Sequence, residues 1–326
     1  MTNNSIPNKK DCITQGLIVR NTGAHYIAEL QDGSEAACRV KGNFRIKGIR
    51  TTNPVAVGDR VVLSEPSPDG IRYILEILPR ENYIIRRASN LSKAAHIIAA
   101  NIDCALLVVT LAHPTTSTTF IDRFLATAEA YNVQAILAIN KIDLLDTPDD
   151  RELLDAVAYL YRSIGYPVVC LSAKTGEGVE DLRSILKDKI TLLSGNSGVG
   201  KSTIINDLVP GSAQRVKEIS DVHDQGMHTT TYSEMFTLPD GGRLIDTPGV
   251  RGFGTVEFER NEVSHYFPEI FEASKECRFG DCTHTREPGC AVLKAVENSR
   301  ISESRYNSYL NILTEDASGK EDKYRQ

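Results

Sequence analysis

The chain has no long hydrophobic run. Its 326 residues contain no apolar stretch approaching the length of a bilayer, the longest lying near residues 105–112, so no segment reads as a membrane-spanning helix. Residues 1–11 are polar, rich in Asn and Lys, and lack the apolar stretch of a secretory signal. Residues 1–12 are expected to be a disordered tail. No internal repeat is visible. An excess of positive charge is also missing: 37 Lys+Arg stand against 43 Asp+Glu, a net charge of −6, so the chain as a whole does not look like a nucleic-acid binder. Cysteine is sparse, at seven. Cys12, Cys38, Cys104 and Cys170 are scattered, and Cys104 and Cys170 sit in strand-like apolar runs that suit reduced, buried thiols. This usage fits a cytoplasmic location. What remains is ordinary for a soluble globular protein, with 41% hydrophobic and 25% charged residues. The length allows two or three domains.

The charge is uneven. Residues 1–90 carry 13 Lys+Arg against 9 Asp+Glu, a net of +4, leaving 24 against 34, a net of −10, for the rest. Within this basic portion the pattern is short strands and turns. Residues 13–20, 24–30, 36–40, 55–63 and 71–77 alternate or carry turn signals between them, Asp32-Gly33 and Pro66-Ser67-Pro68-Asp69-Gly70 among these. About five short strands in roughly 65 residues suggest a small barrel, of OB or SH3-like type. Lys41, Arg45, Lys47 and Arg50 flank Phe44 in one loop. Basic residues around an aromatic suit RNA, through phosphate contacts and base stacking, although a solvated loop has the same composition.

From residue 101 strands and helices alternate, which predicts a mostly parallel sheet. Strands are expected at 102–111, 133–139, 167–171 and 190–193, and helices at 119–131, 151–164, 179–186 and from 201 to 208. Strand-like residues 231–238 and 243–245 flank an Asp240-Gly241-Gly242 turn.

Four segments in this region carry chemistry. Gly195-Asn196-Ser197-Gly198-Val199-Gly200-Lys201-Ser202 has the form G-x-x-x-x-G-K-[ST] between a strand and a helix. Glycines let backbone N–H groups wrap phosphates, and the helix N-terminus adds positive potential. Lys201 is placed for the β- and γ-phosphates and Ser202 for Mg²⁺. Asp246-Thr247-Pro248-Gly249 follows a strand. There Asp246 can hold Mg²⁺ through water, and the Gly249 N–H can meet a γ-phosphate. Asn140-Lys141-Ile142-Asp143 also follows a strand. Asp143 can accept from N1–H and the exocyclic amine of guanine, a donor pair that adenine lacks. Lys141 can lie on the base, and Asn140 can tie this loop to the phosphate loop. Ser172-Ala173-Lys174 follows the next strand, placing Ser172 and Ala173 near the base.

Between phosphate loop and Asp246 lies Gly226-Met227-His228-Thr229-Thr230-Thr231. Thr230 is the expected switch ligand of Mg²⁺. Val250 stands where many GTPases have a water-orienting Gln. His228 is the candidate to take over that role, with packing or a partner contact as its alternative. Gly198 leaves the fourth loop position without an Asn, so no monovalent-cation site is expected.

Near the C-terminus Cys277, Cys282, His284 and Cys290 supply three thiolates and an imidazole within 14 residues, with Gly280 and Pro288-Gly289 to fold the chain around one ion. This is a tetrahedral, structural Zn²⁺ set. A disulfide is the runner-up, set back by the odd count of three. Helical segments follow at 291–296 and 303–313.

The order of the motifs is unusual. The guanine-reading segments at 140–143 and 172–174 precede the phosphate loop at 195–202 and Asp246, so the two halves of a GTPase domain are exchanged. Together with the N-terminal barrel, Gly-x-His-Thr-Thr-Thr and Cys-x4-Cys-x-His-x5-Cys, this order resembles bacterial small-ribosomal-subunit biogenesis GTPases of the RsgA (YjeQ) family, over residues 13–313. The resemblance implies a multidomain chain: an OB-like β-barrel at 1–80, a circularly permuted α/β P-loop GTPase domain at 81–255, and a mostly α zinc-binding domain at 256–326. It further implies GTP and GDP as ligands, Mg²⁺, one Zn²⁺ per chain, and a cytoplasmic monomer. The implied partners are the small ribosomal subunit and its rRNA, with hydrolysis stimulated by that subunit. Met227 departs from the basic residue usual there. An RNA-binding assembly factor with GTP as a structural ligand is the alternative; a large-subunit GTPase is disfavoured by barrel and zinc cluster. The permuted order also puts the segment after Asp246, through Gly249, Gly252 and Gly254, on a direct tether to the C-terminal module.

Overall fold

The computed structural model describes residues 14–23, 25–40, 54–87, 95–211, 233–247 and 258–314. The tail at 1–12, the basic loop with Phe44, His228, Thr230 and the glycine-rich tether all lie outside the described residues. The chain divides into two compact units, one comprising residues 1–102, 217–236 and 245–249, the other 103–216, 237–244 and 250–326.

In the first unit β1 (Thr14–Asn21), β2 (Tyr26–Leu30), β3 (Glu35–Val40), β4 (Arg60–Leu63) and β5 (Arg72–Ile77) close on themselves. β1 pairs with both β2 and β4, β2 with β3, and β4 with β5, all antiparallel; β3 and β5 pair parallel and complete the ring. This five-stranded closure is the OB arrangement, which decides between the two barrels the sequence allowed. Alternation puts Ile18, Ala28, Cys38, Leu63 and Ile74 inside, where they pack with Tyr26, Val55 and Val61. Asp59 and Arg80 form a buried ion pair at 2.6 Å, and Asp59 also accepts the Ala56 N–H at 2.8 Å.

A hairpin of β6 (Tyr83–Arg87) and β7 (Ala95–Ala100) follows the barrel, in a stretch where the sequence pattern predicts no strand. Asn101 closes it onto the barrel, donating to the Gly58 carbonyl and accepting from the Glu81 N–H, both at 2.9 Å. β12 (Ser233–Thr237) runs antiparallel to β1 with Arg20 opposite Glu234, and the two side chains pair at 2.8 Å.

In the second unit β8 (Cys104–Val109), β9 (Gln134–Ile139), β10 (Val168–Cys170) and β11 (Ile190–Ser194) form a parallel sheet in the order β10-β9-β8-β11. β8 is buried along its whole length, as a strand covered on both faces must be. The helices are α1 (Thr118–Ala130), α2 (Pro148–Ile164), α3 (Val179–Leu186) and α4 (Lys201–Leu208). α2 starts three residues before the sequence expectation. Thr147 and Asp150 form a capping box and Pro148 occupies the first turn. β13 (Arg243–Asp246) follows a tight turn, and Arg243 N–H donates to the Lys189 carbonyl at 2.8 Å.

The C-terminal helices α5 (Pro268–Ser274), α6 (Ala291–Glu297) and α7 (Glu303–Thr314) belong to this second unit. Their core of Phe267, Ile270, Val292, Ala295, Tyr309, Ile312 and Leu313 includes Ala126 of α1. Arg305 of α7 is fully buried. It donates to Glu269 at 2.6 and 3.1 Å and to Asp122 of α1 at 3.0 Å, and its guanidinium lies 4.6 Å from the Phe267 ring centre. Tyr161 of α2 donates to the same Asp122 at 2.9 Å. A buried charge is tolerated only when paired, and this one is paired on two sides.

Candidate functional site

The guanine and phosphate segments sit at the C-terminal ends of parallel strands, where open α/β sheets take their ligands. β9 leads into Asn140 and β10 into Ser172, while β11 leads into Gly195. Sheet pairing therefore gathers segments that the sequence separates by some fifty residues.

Asn140 joins them. Its amide donates to the Val199 carbonyl at 2.8 Å, and its oxygen accepts the Ala173 N–H at 3.0 Å. Both bonds are buried, so losing either partner strands a polar group. Two glycines let the loops come this close. A Cβ on Gly200, at φ +99°, would lie 2.4 Å from Asn140 Nδ2. A Cβ on Gly195, at φ +145°, would lie 2.4 Å from the Val108 carbonyl oxygen. Only glycine fits either position.

Lys201 opens α4 and folds its ammonium over the loop, donating to the carbonyls of Gly195 at 2.6 Å and Asn196 at 2.8 Å. Ser197, Gly198 and Ser202 are exposed, and Val199 is buried beneath them. The loop thus presents backbone N–H groups, one cation and two hydroxyls, a set that suits a polyphosphate.

Asp143 follows Ile142 in a short 3-10 turn. The Ser172 hydroxyl donates to its Oδ1 at 2.6 Å, and the Lys174 ammonium lies 3.8 Å from Oδ2. Besides its expected place near the base, Ser172 uses its hydroxyl to hold the Asp143 carboxylate in place. No spacing rule announces that contact, because serine at this position is equally suited to a backbone role. Lys141 has φ +64° and donates to the His113 carbonyl at 2.6 Å. The His113–Pro114 peptide is cis.

Asp246 is the last residue of β13, and the buried Thr247 follows it. Gly249, His228 and Thr230 fall outside the described residues.

The Cys/His residues converge as their spacing suggested. Ligand atoms of Cys277, Cys282, His284 and Cys290 all lie within 4.8 Å of one another. His284 Nδ1 is 3.6 Å from Cys277 Sγ and 3.5 Å from Cys290 Sγ, and those two sulfurs are 3.9 Å apart. A tetrahedral ion roughly 2.1–2.3 Å from each donor spaces them by roughly 3.5–3.8 Å. The four side chains could therefore hold a metal ion with little movement. The sulfurs are too far apart for disulfides, so all described cysteines are free.

Without a cation, burial and the neighbouring thiols push the Cys282 thiol up to about 12 and raise Cys290, and burial lowers the His284 imidazole. The loop is also braced. Burial alone would raise the Glu287 carboxyl. Hydrogen bonds from the Thr283 hydroxyl and the Arg286 and Thr283 N–H groups instead hold it far below the usual range. Tyr306 and Tyr309 of α7 donate to the carbonyls of His284 and Thr283 at 2.7 and 2.8 Å.

Known proteins with this architecture are numerous. A family model described as RsgA GTPase matches residues 77–256, and one described as RsgA N-terminal domain matches residues 15–70. A Porphyromonas gingivalis protein named small ribosomal subunit biogenesis GTPase RsgA is 59% identical over 305 residues, covering 92% of this chain and 96% of its own. A Bacteroides fragilis protein of the same name is 56% identical over 308 residues, covering 94% and 98%. The crystal structure of YjeQ from Thermotoga maritima superposes with a TM-score of 0.75 at 35% identity, over 93% of this chain and 98% of that one. YloQ, described as a circularly permuted GTPase, gives 0.72 at 30% identity, over 95% and 97%. With the phosphate loop, the guanine loop and the OB barrel in the permuted order, this chain belongs to the RsgA family of GTPases.

Proposed function

We propose that this GTPase times its binding to, and release from, the small ribosomal subunit during late maturation, and that the subunit stimulates its hydrolysis. The observation that carries the reading is the name shared by relatives 55–59% identical over nearly the whole chain, joined to a site whose two loops are tied through Asn140. Family membership implies a guanine nucleotide and Mg²⁺. In the proposed division of labour, residues 1–80 meet rRNA, 81–255 hold the nucleotide and 256–326 brace the assembly. The chain acts as a cytoplasmic monomer. No helix among the described residues is long and apolar enough to cross a membrane.

At the nucleotide, Asp143 reads the guanine edge, with Ser172 fixing its carboxylate and Lys141 and the Ala173 backbone completing the base site. The N–H groups of residues 195–202 wrap the phosphates. Lys201 leaves its two loop carbonyls for β- and γ-phosphate oxygens. Ser202, Thr230 and Asp246 would hold Mg²⁺, which would supply positive charge against that developing on those oxygens. Gly249 contacts the γ-phosphate through its backbone. His228 positions the attacking water, whose oxygen forms the new bond to γ-phosphorus as the bond to the β-phosphate oxygen breaks. GDP and inorganic phosphate leave.

At Cys277, Cys282, His284 and Cys290 the donor set favours Zn²⁺, one per chain, because soft thiolates in a closed four-ligand cage suit that ion and leave no open position. Its contribution there is structural.

The test is phosphate release with and without purified small subunits, alongside Lys201→Ala. Stimulation in the parent chain, and a Lys201→Ala protein that docks but fails to cycle off, support the reading. If Lys201→Ala docks, releases and supports maturation normally, GTP is only a structural ligand.

A further inference from the structure

The segment at residues 110–117 leaves β8 and enters α1. β8 lies between β9 and β11 in the sheet, so this segment emerges between the guanine loop and the phosphate loop. It touches both. The Lys141 ammonium donates to the His113 carbonyl at 2.6 Å. A Cβ added at Gly198 would be 3.6 Å from Pro114 Cδ.

The segment is held from beneath by two buried threonines. Thr110 N–H donates to the Thr116 hydroxyl at 3.2 Å, and Thr116 N–H donates to the Thr110 carbonyl at 2.8 Å. The Thr110 hydroxyl donates to the Pro114 carbonyl. Three bonds spent on one short connection leave little freedom at its tip.

That tip is His113, and its backbone is unusual. Its φ is +47°, and Lys141 opposite has φ +64°. Residues with a Cβ avoid this left-handed region, and here two of them are joined by the Lys141–His113 hydrogen bond. The His113 side chain is exposed, so packing of the imidazole does not account for it. The left-handed turn does account for where the carbonyl points, which is at the Lys141 ammonium.

We infer that His113 is a positioning residue for guanine nucleotide: its left-handed backbone presents a carbonyl that anchors the Lys141 ammonium and lays the lysine stem across the base. The inference rests on reading residues 140–143 as the guanine loop. It assigns the role to the backbone at 113, so substitutions are judged by how well they accept positive φ. Glycine accepts it freely; a β-branched residue resists it.

The experiment compares His113→Gly and His113→Val in the full chain, using a fluorescent GDP for affinity and dissociation rate, and melting without nucleotide to verify folding. His113→Gly should bind GDP within about twofold of the parent. His113→Val should bind about tenfold more weakly, mostly through faster dissociation, since left-handed backbone is disfavoured for it by about that ratio. In a Lys141→Ala background the valine substitution should add little, because the anchored group is gone. Thr110→Val, which loosens the segment without touching residue 113, should weaken GDP in the same direction. Equal GDP affinity for the valine and glycine variants overturns the inference, as does an undiminished valine effect in the Lys141→Ala background. A parent chain that fails to bind GDP would instead overturn the guanine-loop reading itself, separating the two failures.

Discussion

Replacing Arg305 with alanine tests how the C-terminal helices are fixed to the GTPase core. Arg305 has no solvent exposure, and neither has the Asp122 side chain that it meets at 3.0 Å. The substitution removes both bonds to Glu269, the bond to Asp122 and the stacking over Phe267. Glu269 is partly exposed and can rehydrate; Asp122 cannot. Breaking a buried pair by deleting one partner costs about 3–5 kcal/mol. For a unit of this size that lowers the melting temperature by about 10 °C. The loss should depend on pH in a defined sense. Burial already pushes the Asp122 carboxyl above its usual range, against the pull of Arg305. Without Arg305 it rises further. A group whose folded value lies above its unfolded value binds more protons when folded, so stability falls as pH rises. The difference between variant and parent should therefore be smallest near pH 4 and largest near neutrality. The chain has no tryptophan, so the transition is followed by circular dichroism. A loss below about 1 kcal/mol at neutral pH, unchanged at pH 4, would refute the buried-triad reasoning.

Three further outcomes follow from the site. Asp143→Asn exchanges an acceptor for a donor and should weaken GDP binding by about a hundredfold while improving xanthosine diphosphate; calorimetry with both nucleotides decides it. His228→Ala should lower kcat by about a hundredfold or more with GTP affinity held within about threefold, and an unchanged kcat removes His228 from the chemistry. Metal binding must displace protons from thiols, and from Cys282 in particular, whose free value is about 12. Affinity should therefore rise with pH, with about three protons released per ion at neutrality, and metal should be lost on acidification; a metal content insensitive to pH would contradict the Cys₃His assignment.

Much of the site was legible because its chemistry fixes residue types at fixed spacings. Gly195, Gly200, Lys201, Asn140 and Asp143 stand at the spacings that the proposed phosphate and guanine contacts require, and each follows a strand whose burial shows as an unbroken apolar run. The barrel was legible through its alternation, but OB and SH3-like forms separate only in the parallel pairing of β3 with β5, a long-range fact. The β6–β7 hairpin escaped because Ile84-Ile85 and Ile97-Ile98 are runs too short to show a period. Arg305 escaped for a different reason. A charged residue on an amphipathic helix reads as solvent-facing, and its partner Asp122 lies 183 positions away. The Thr147-Pro148-Asp149-Asp150 cap of α2 was there to be read and extends the helix by a turn.

The most direct test of the central claim is the rate of GTP hydrolysis by the purified chain with Mg²⁺, alone and with small ribosomal subunits. Turnover should be slow alone, markedly faster with small subunits, unaccelerated by large subunits, and lost in both settings for Lys201→Ala. Turnover that small subunits leave unchanged would contradict the claim.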